Sequence, residues 1–144
     1  MLKSILVPVD GSENSMRALR FAMELGQQND SSISVVNIDI PYDLSRIVNK
    51  MPSKDDEEVK EKVKVPKALD FARAEAEEVG YKNIRFKNLI AVDAAERICE
   101  EAENMGADLV VMGNRGHGVL MGLFMGSVSM KVSQNLKCPI TIVK

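Results

Sequence analysis

A chain of 144 residues with 45% apolar and 28% charged side chains can build one sizeable core but not two ordinary domains, so one domain over 1–144 is expected, and disordered, collagen-like and disulfide-scaffold classes are set aside. A net charge of −2 offers no global attraction to DNA or RNA, whose phosphates are bound through many lysine and arginine contacts, so no nucleic acid partner is expected. No run of about 18 apolar residues spans a bilayer, and Cys99 and Cys138 show neither CxxC nor Cys/His ligand spacing; a cytoplasmic chain with free thiols and no membrane partner is expected.

Ser4 to Val9 is a short, nearly continuous apolar run, the pattern of a strand buried on both faces of a parallel sheet, and Asp10-Gly11-Ser12 breaks it. From Ser12 to Leu25 the apolar positions Met16, Leu19, Ala22 and Met23 recur at helical spacing, with Gly26 as the stop. Ser32 to Ile40 reads as a second strand. Pro41 to Asp56 reads as a long loop, a candidate mobile cover. A helical stripe then runs from Glu57 to Val79, kinked or restarted at Pro66 and ended by Gly80. Ile84 to Ile90 alternates apolar and polar residues, as a strand nearer the sheet edge does. Asp93 is placed to cap a helix whose stripe is Ala95, Ile98, Ala102 and Met105, ending at Gly106. Asp108 to Met112 and Pro139 to Val143 are the last two strand runs, with a short helix from Gly126 to about Leu136 between them. This alternation predicts a single-domain α/β fold: an open, mostly parallel five-stranded sheet with helices on both faces.

The chemistry concentrates between the fourth strand and that short helix, where five glycines occupy the fourteen positions from Gly113 to Gly126. Glycine admits positive φ and lets backbone amides approach a ligand with no Cβ in the way. Gly126-Ser127 then opens a helix whose first amides carry partial positive charge, so phosphate oxygens can be bound there without a lysine cluster, with the hydroxyls of Ser127 and Ser129 as further donors. No glycine in the segment precedes a lysine, and the first strand–helix turn lacks GxGxxG, which sets aside the P-loop and dinucleotide fingerprints.

The pattern Gly113-x2-Gly116-x9-Gly126-Ser127 resembles the ATP-binding motif G-x2-G-x9-G-[ST] of universal stress proteins at every fixed position. The likeness extends to Ile5-Leu6-Val7-Pro8-Val9-Asp10-Gly11-Ser12, to Ala94-Ala95-Glu96-Arg97-Ile98, to Gly106 through Gly113, and to Cys138 through Val143. The resemblance implies a Rossmann-like sheet of strand order 3-2-1-4-5 with ATP, or ADP or AMP, across the carboxyl ends of strands 1 and 4. It also implies that Pro8, Val9 and Asp10 line the adenosine pocket and that the backbone of Ile38 reads the adenine edge. Gly113, Gly116, Gly126, Ser127 and Val128 match the ribose-phosphate cradle, with Asn114, Arg115, His117 and Ser129 beside them. Asp10 is the candidate to meet Mg²⁺ through the ATP phosphates; from the residues alone it also reads as a cap of the first helix, and the two roles can coexist. Val92 stands where family members often carry glycine. The last strand, with no cover after it, is expected to pair with its copy in a homodimer.

The function expected is a nucleotide-binding regulatory or stress-response protein. Two other classes stay open: a slow Mg-dependent ATPase or phosphotransferase, for which no convincing general base or acceptor is visible, and a nucleotide-independent interaction protein, against which the intact glycine pattern counts. His117 without a paired acid and nucleophile makes no catalytic triad, and no catalytic residue is assigned.

Overall fold

A computed structural model of the chain describes residues 1–41, 67–114 and 125–144. In chain order these form β1 (Ser4–Pro8), α1 (Glu13–Asn29), β2 (Ser32–Asp39), α2 (Lys67–Val79), β3 (Ile84–Ile90), α3 (Ala94–Met105), β4 (Leu109–Gly113), α4 (Ser127–Asn135) and β5 (Ile140–Val143). The strands make one parallel sheet in the order β3-β2-β1-β4-β5, the order implied by the resemblance. The expected loop from Pro41 to Asp56 and the helical stripe before Lys67 lie outside the described residues, apart from Pro41 itself.

Side chains alternate across the pleat, so each buried strand supplies both faces of the sheet. Ile5, Val7, Ile33, Val35, Leu109 and Val111 pack under α1 and α2, whereas Leu6, Val36, Val110 and Met112 pack under α3 and α4. Each such side chain contributes about 1.5–3 kcal/mol of burial, which is why β1 and β4 at the centre are continuously apolar. β3, with partners on one side, keeps the looser pattern its sequence shows. There Lys87 Nζ lies 2.8 Å from the buried carboxylate of Glu101, which also has Arg97 at 3.4 Å, and this pins α3 to the edge strand. Among the described residues no helix is long and apolar enough to cross a membrane.

The helix ends follow local caps, with corrections at both ends of the first helix. Ser12 accepts from the Ser15 N–H at 3.2 Å and Asp93 from the Glu96 N–H at 3.1 Å, while Gly106 takes the left-handed conformation that ends α3. Gly26, expected to end the first helix, instead sits buried within it; α1 runs on to Asn29 and ends on Asp30 at φ 55°. Its missing side chain makes room for Tyr81: a Cβ on Gly26 would lie 2.9 Å from the ring carbon Cζ and closer still to the hydroxyl, which donates to the Ser31 carbonyl at 2.6 Å. Long-range packing, not helix termination, is what this glycine serves.

Asp108, at the amino end of the sheet, accepts from the backbone N–H of Lys3 at 2.9 Å and of Ser4 at 3.0 Å, and these bonds hold its carboxyl below the usual carboxylate range. With the folded pKa depressed, the stabilisation is present above the unfolded pKa of about 4 and is lost as pH falls through the folded value. Asp108→Asn is therefore expected to be less stable at neutral pH and to lose less stability on acidification. Urea unfolding of both proteins from neutral pH down to about pH 3 tests this; parallel pH dependences would remove Asp108 from the acid response.

Candidate functional site

The sheet changes direction of winding at β1 and β4: the chain leaves β1 for α1 on one face, and reaches β4 from α3 on the other. The crevice outside the carboxyl ends of such strands is where open α/β sheets bind ligands. A cavity of about 200 Å³ lies there, walled by residues from β1, β2, β4 and the first turns of α1, α3 and α4.

The structure brings most of the expected site residues together. Pro8, Val9 and Asp10 at the end of β1, Ile38 on β2, Gly113 at the end of β4, and Gly126, Ser127, Val128 and Ser129 at the start of α4 all line the cavity. Asn114 is adjacent but not in the wall; its backbone N–H donates to Val143 O at 2.8 Å and its carbonyl accepts from Gly126 N–H at 2.7 Å, tying the exit of β4 to β5 and to α4. Arg115, Gly116 and His117 lie outside the described residues.

The helix termini at the cavity are not equivalent. α1 and α3 have their first-turn amides partly satisfied by Ser12 and Asp93, whereas α4 has Gly126 at its N-cap and no side-chain cap bond. The first intrahelical bond of α4 runs from Met130 N–H to Gly126 O at 2.9 Å, so the amides of Ser127, Val128 and Ser129 precede the helical ladder. They carry the partial positive charge of the helix end and suit an anion. Lys131, one turn further, pairs with Asp93, an ion pair that ties the cap of α3 to α4 beside the mouth. This pairing, followed by the Glu96 N–H bond, holds the Asp93 carboxyl below its ordinary range.

Three expectations are refined by the geometry. Ser129 Oγ donates to the Gly113 carbonyl at 2.8 Å, so its proton anchors α4 to β4 and is not offered to a ligand. Gly126 has φ −61° and ψ 156°, extended backbone open to any residue, so positive φ is not the reason for glycine there. Asp10 does not cap α1; Ser12 does, and Asp10 Oδ1 accepts from the Ser12 N–H at 2.9 Å, a turn that fixes the carboxylate at the cavity edge.

Sequence reasoning missed Ser15, Asn37, Ala94, Ile98 and Met112, which complete the wall. Asn37 does not stand out as the polar residue of its strand, since Ser32, Ser34 and Asp39 also interrupt the apolar run of β2. Ile98 and Met112 carried no signal, because an apolar residue reads the same whether it faces the core or a ligand. Among the described lining residues Asp10 is the single ionisable side chain, and no group of three or more His, Cys, Asp or Glu is placed to hold a metal ion. Cys99 and Cys138 are free and half-buried, and burial raises both thiols.

The model of the universal stress protein family matches residues 1–144. A universal stress protein of Methanocaldococcus jannaschii is 34% identical over 146 residues, covering all of this chain and 83% of the relative. The YxiE universal stress protein of Bacillus subtilis is 32% identical over 152 residues, covering 100% of both chains. Among solved structures, UspA from Lactobacillus plantarum matches with a TM-score of 0.80 at 17% identity, over 99% of this chain and 98% of that one. A universal stress protein in complex with cAMP matches at 0.70 and 22% identity, over 99% and 96% of the two chains. One from Archaeoglobus fulgidus in complex with dAMP matches at 0.67 and 22% identity, over 100% of both. At these identities the structural likenesses speak for the fold.

Proposed function

Because the chain belongs to the universal stress protein family, we propose that it is a cytoplasmic regulatory protein that binds an adenine nucleotide, ATP or its products ADP and AMP, and acts in the stress response through the bound state. The observation that carries this reading is one cavity bounded by strand backbone at Ile38 and by the uncapped start of α4. The first offers a donor and an acceptor side by side, the pattern complementary to the N1 and amino edge of adenine. The second suits phosphate. Two fold neighbours that hold cAMP and dAMP agree in ligand class.

In this reading Pro8 and Val9 pack on the adenosine, Asp10 faces ribose or a Mg²⁺ ion carried in by the phosphates, and Gly113, Gly126, Ser127 and Val128 form the cradle, with Arg115, Gly116 and His117 contributed by the same loop. The metal would draw most of its ligands from phosphate and water, since Asp10 is the one carboxylate in the described wall. Nothing in that wall is arranged as a base and acceptor for phosphoryl transfer, so binding, not turnover, is the function proposed. β5 pairs with β4 and leaves its other edge for a second copy, which makes a homodimer the proposed assembly.

Native mass spectrometry of the purified protein tests both parts at once. A dimer mass that carries adenine nucleotide, released on denaturation, is expected; a monomer across micromolar concentrations would sink the assembly, and nucleotide-free protein that also fails to bind ATP in calorimetry would sink the function. Magnesium-dependent phosphate release above buffer and abolished by Asp10→Ala would instead favour an ATPase.

A further inference from the structure

We infer that Asn37 is a positioning residue that keeps the base-reading edge of Ile38 open, an assignment that rests on the adenine-binding reading above. Val9 N–H donates to the Val36 carbonyl at 2.8 Å, as in a regular parallel ladder. The next rung of that ladder would be Ile38 N–H donating to the Val9 carbonyl. It is not made: the paired register of β1 and β2 stops at Pro8 and Val36, and the Val9 carbonyl accepts from Asn37 Nδ2 at 2.9 Å. The carboxamide stands in for a backbone donor, a substitution the short Asn side chain is suited to make.

On its far side β2 continues to pair with β3 through Ile38 and Asp39, and the Asp39 carbonyl accepts Ala91 N–H at 3.1 Å. Alternation along the strand therefore turns the N–H and C=O of Ile38 toward the side that β1 has left, where Ile38 and Asn37 both border the cavity. With the Val9 carbonyl already satisfied, nothing in β1 competes with a base for the Ile38 amide. Without Asn37, closure of the Val9–Ile38 rung would have to be undone before a base could bind, and affinity would fall by the fraction of molecules closed.

Amide hydrogen exchange at Ile38 and calorimetry with ATP test this in Asn37→Ala and in the isosteric Asn37→Asp, which cannot donate. In ligand-free Asn37→Ala the Ile38 amide is expected to exchange about tenfold more slowly than in the unsubstituted protein, and in both variants ATP affinity is expected to drop about tenfold, the equivalent of one hydrogen bond. A merely structural role would speed exchange, not slow it. Should the alanine variant not fold, the aspartate variant decides on affinity. Unchanged Ile38 exchange with unchanged ATP affinity in the folded variants overturns the assignment. If the unsubstituted protein binds no adenine nucleotide, the functional reading fails, and Ile38 exchange in ligand-free Asn37→Ala still decides whether Asn37 holds the rung open.

Discussion

Gly113→Ala is expected to lower the melting temperature by about 10 °C, a loss of about 3 kcal/mol. An ideal Cβ at Gly113 would lie 2.8 Å from the backbone carbon of Asn14, 2.9 Å from its carbonyl oxygen and 3.0 Å from its Cβ. Elsewhere in a chain, alanine for glycine gains about 0.4–1 kcal/mol by restricting the unfolded state. Here the contacted atoms are main chain in the first turn of α1, which cannot swing aside as a side-chain tip can. The helix must lift from β4, carrying Ser15 and the Asp10 turn with it, and the Ser129 bond to the Gly113 carbonyl is disturbed from the other side. Thermal and urea unfolding measure the loss. Asn14→Gly in the same background removes the 3.0 Å Cβ contact and neither backbone contact, so it should restore only a small part. A melting temperature equal to that of the unsubstituted protein would show that α1 and β4 are not in this close contact.

The same glycine shows where sequence reading stops. The strands are legible because a parallel sheet buries both faces, and runs such as Ile5 to Val9 and Leu109 to Met112 have few other uses in a chain of this size. The caps Asp93 and Gly106 are legible because they act on backbone within a few residues, whereas at the first helix the cap was read at Asp10 and is made by Ser12. What fails is whatever depends on a partner distant in sequence. Gly26 reads as a helix stop until Tyr81 is seen against it, and Ser129 reads as a ligand donor until the Gly113 carbonyl is found beneath it. The strand order and the residues matched to the ATP motif came from resemblance to a family, since periodicity alone leaves the order of parallel strands open. Asn37 was passed over because its role exists only where β1 parts from β2, and no local pattern marks that point.

Gly126→Val separates the proposed cradle from the fold, and it is expected to weaken ATP binding about 100-fold, about 2.7 kcal/mol, while leaving a folded protein. At φ −61° and ψ 156° valine is accommodated without backbone strain, and the bonds from Gly126 N–H to Asn114 O and from Met130 N–H to Gly126 O are kept. The cost to the fold is that of a poor N-cap, on the order of 1 kcal/mol. The cost to binding is larger because Gly126 is buried in the cavity wall directly before the amides of Ser127, Val128 and Ser129. In the proposed cradle a branched side chain there would fill space that a phosphate needs in order to reach those amides, and a hydrogen bond held beyond its normal length is largely lost. Calorimetry with ATP beside thermal unfolding reads both costs, with Gly126→Ala expected to fall between the two. If folded Gly126→Val keeps the affinity of the unsubstituted protein, the phosphates are held somewhere other than the start of α4. If instead adenosine without phosphate loses as much affinity as ATP, the substitution has reached the base and ribose end, and the division of the cavity into an adenine-reading strand edge and an anion-holding helix would have to be redrawn.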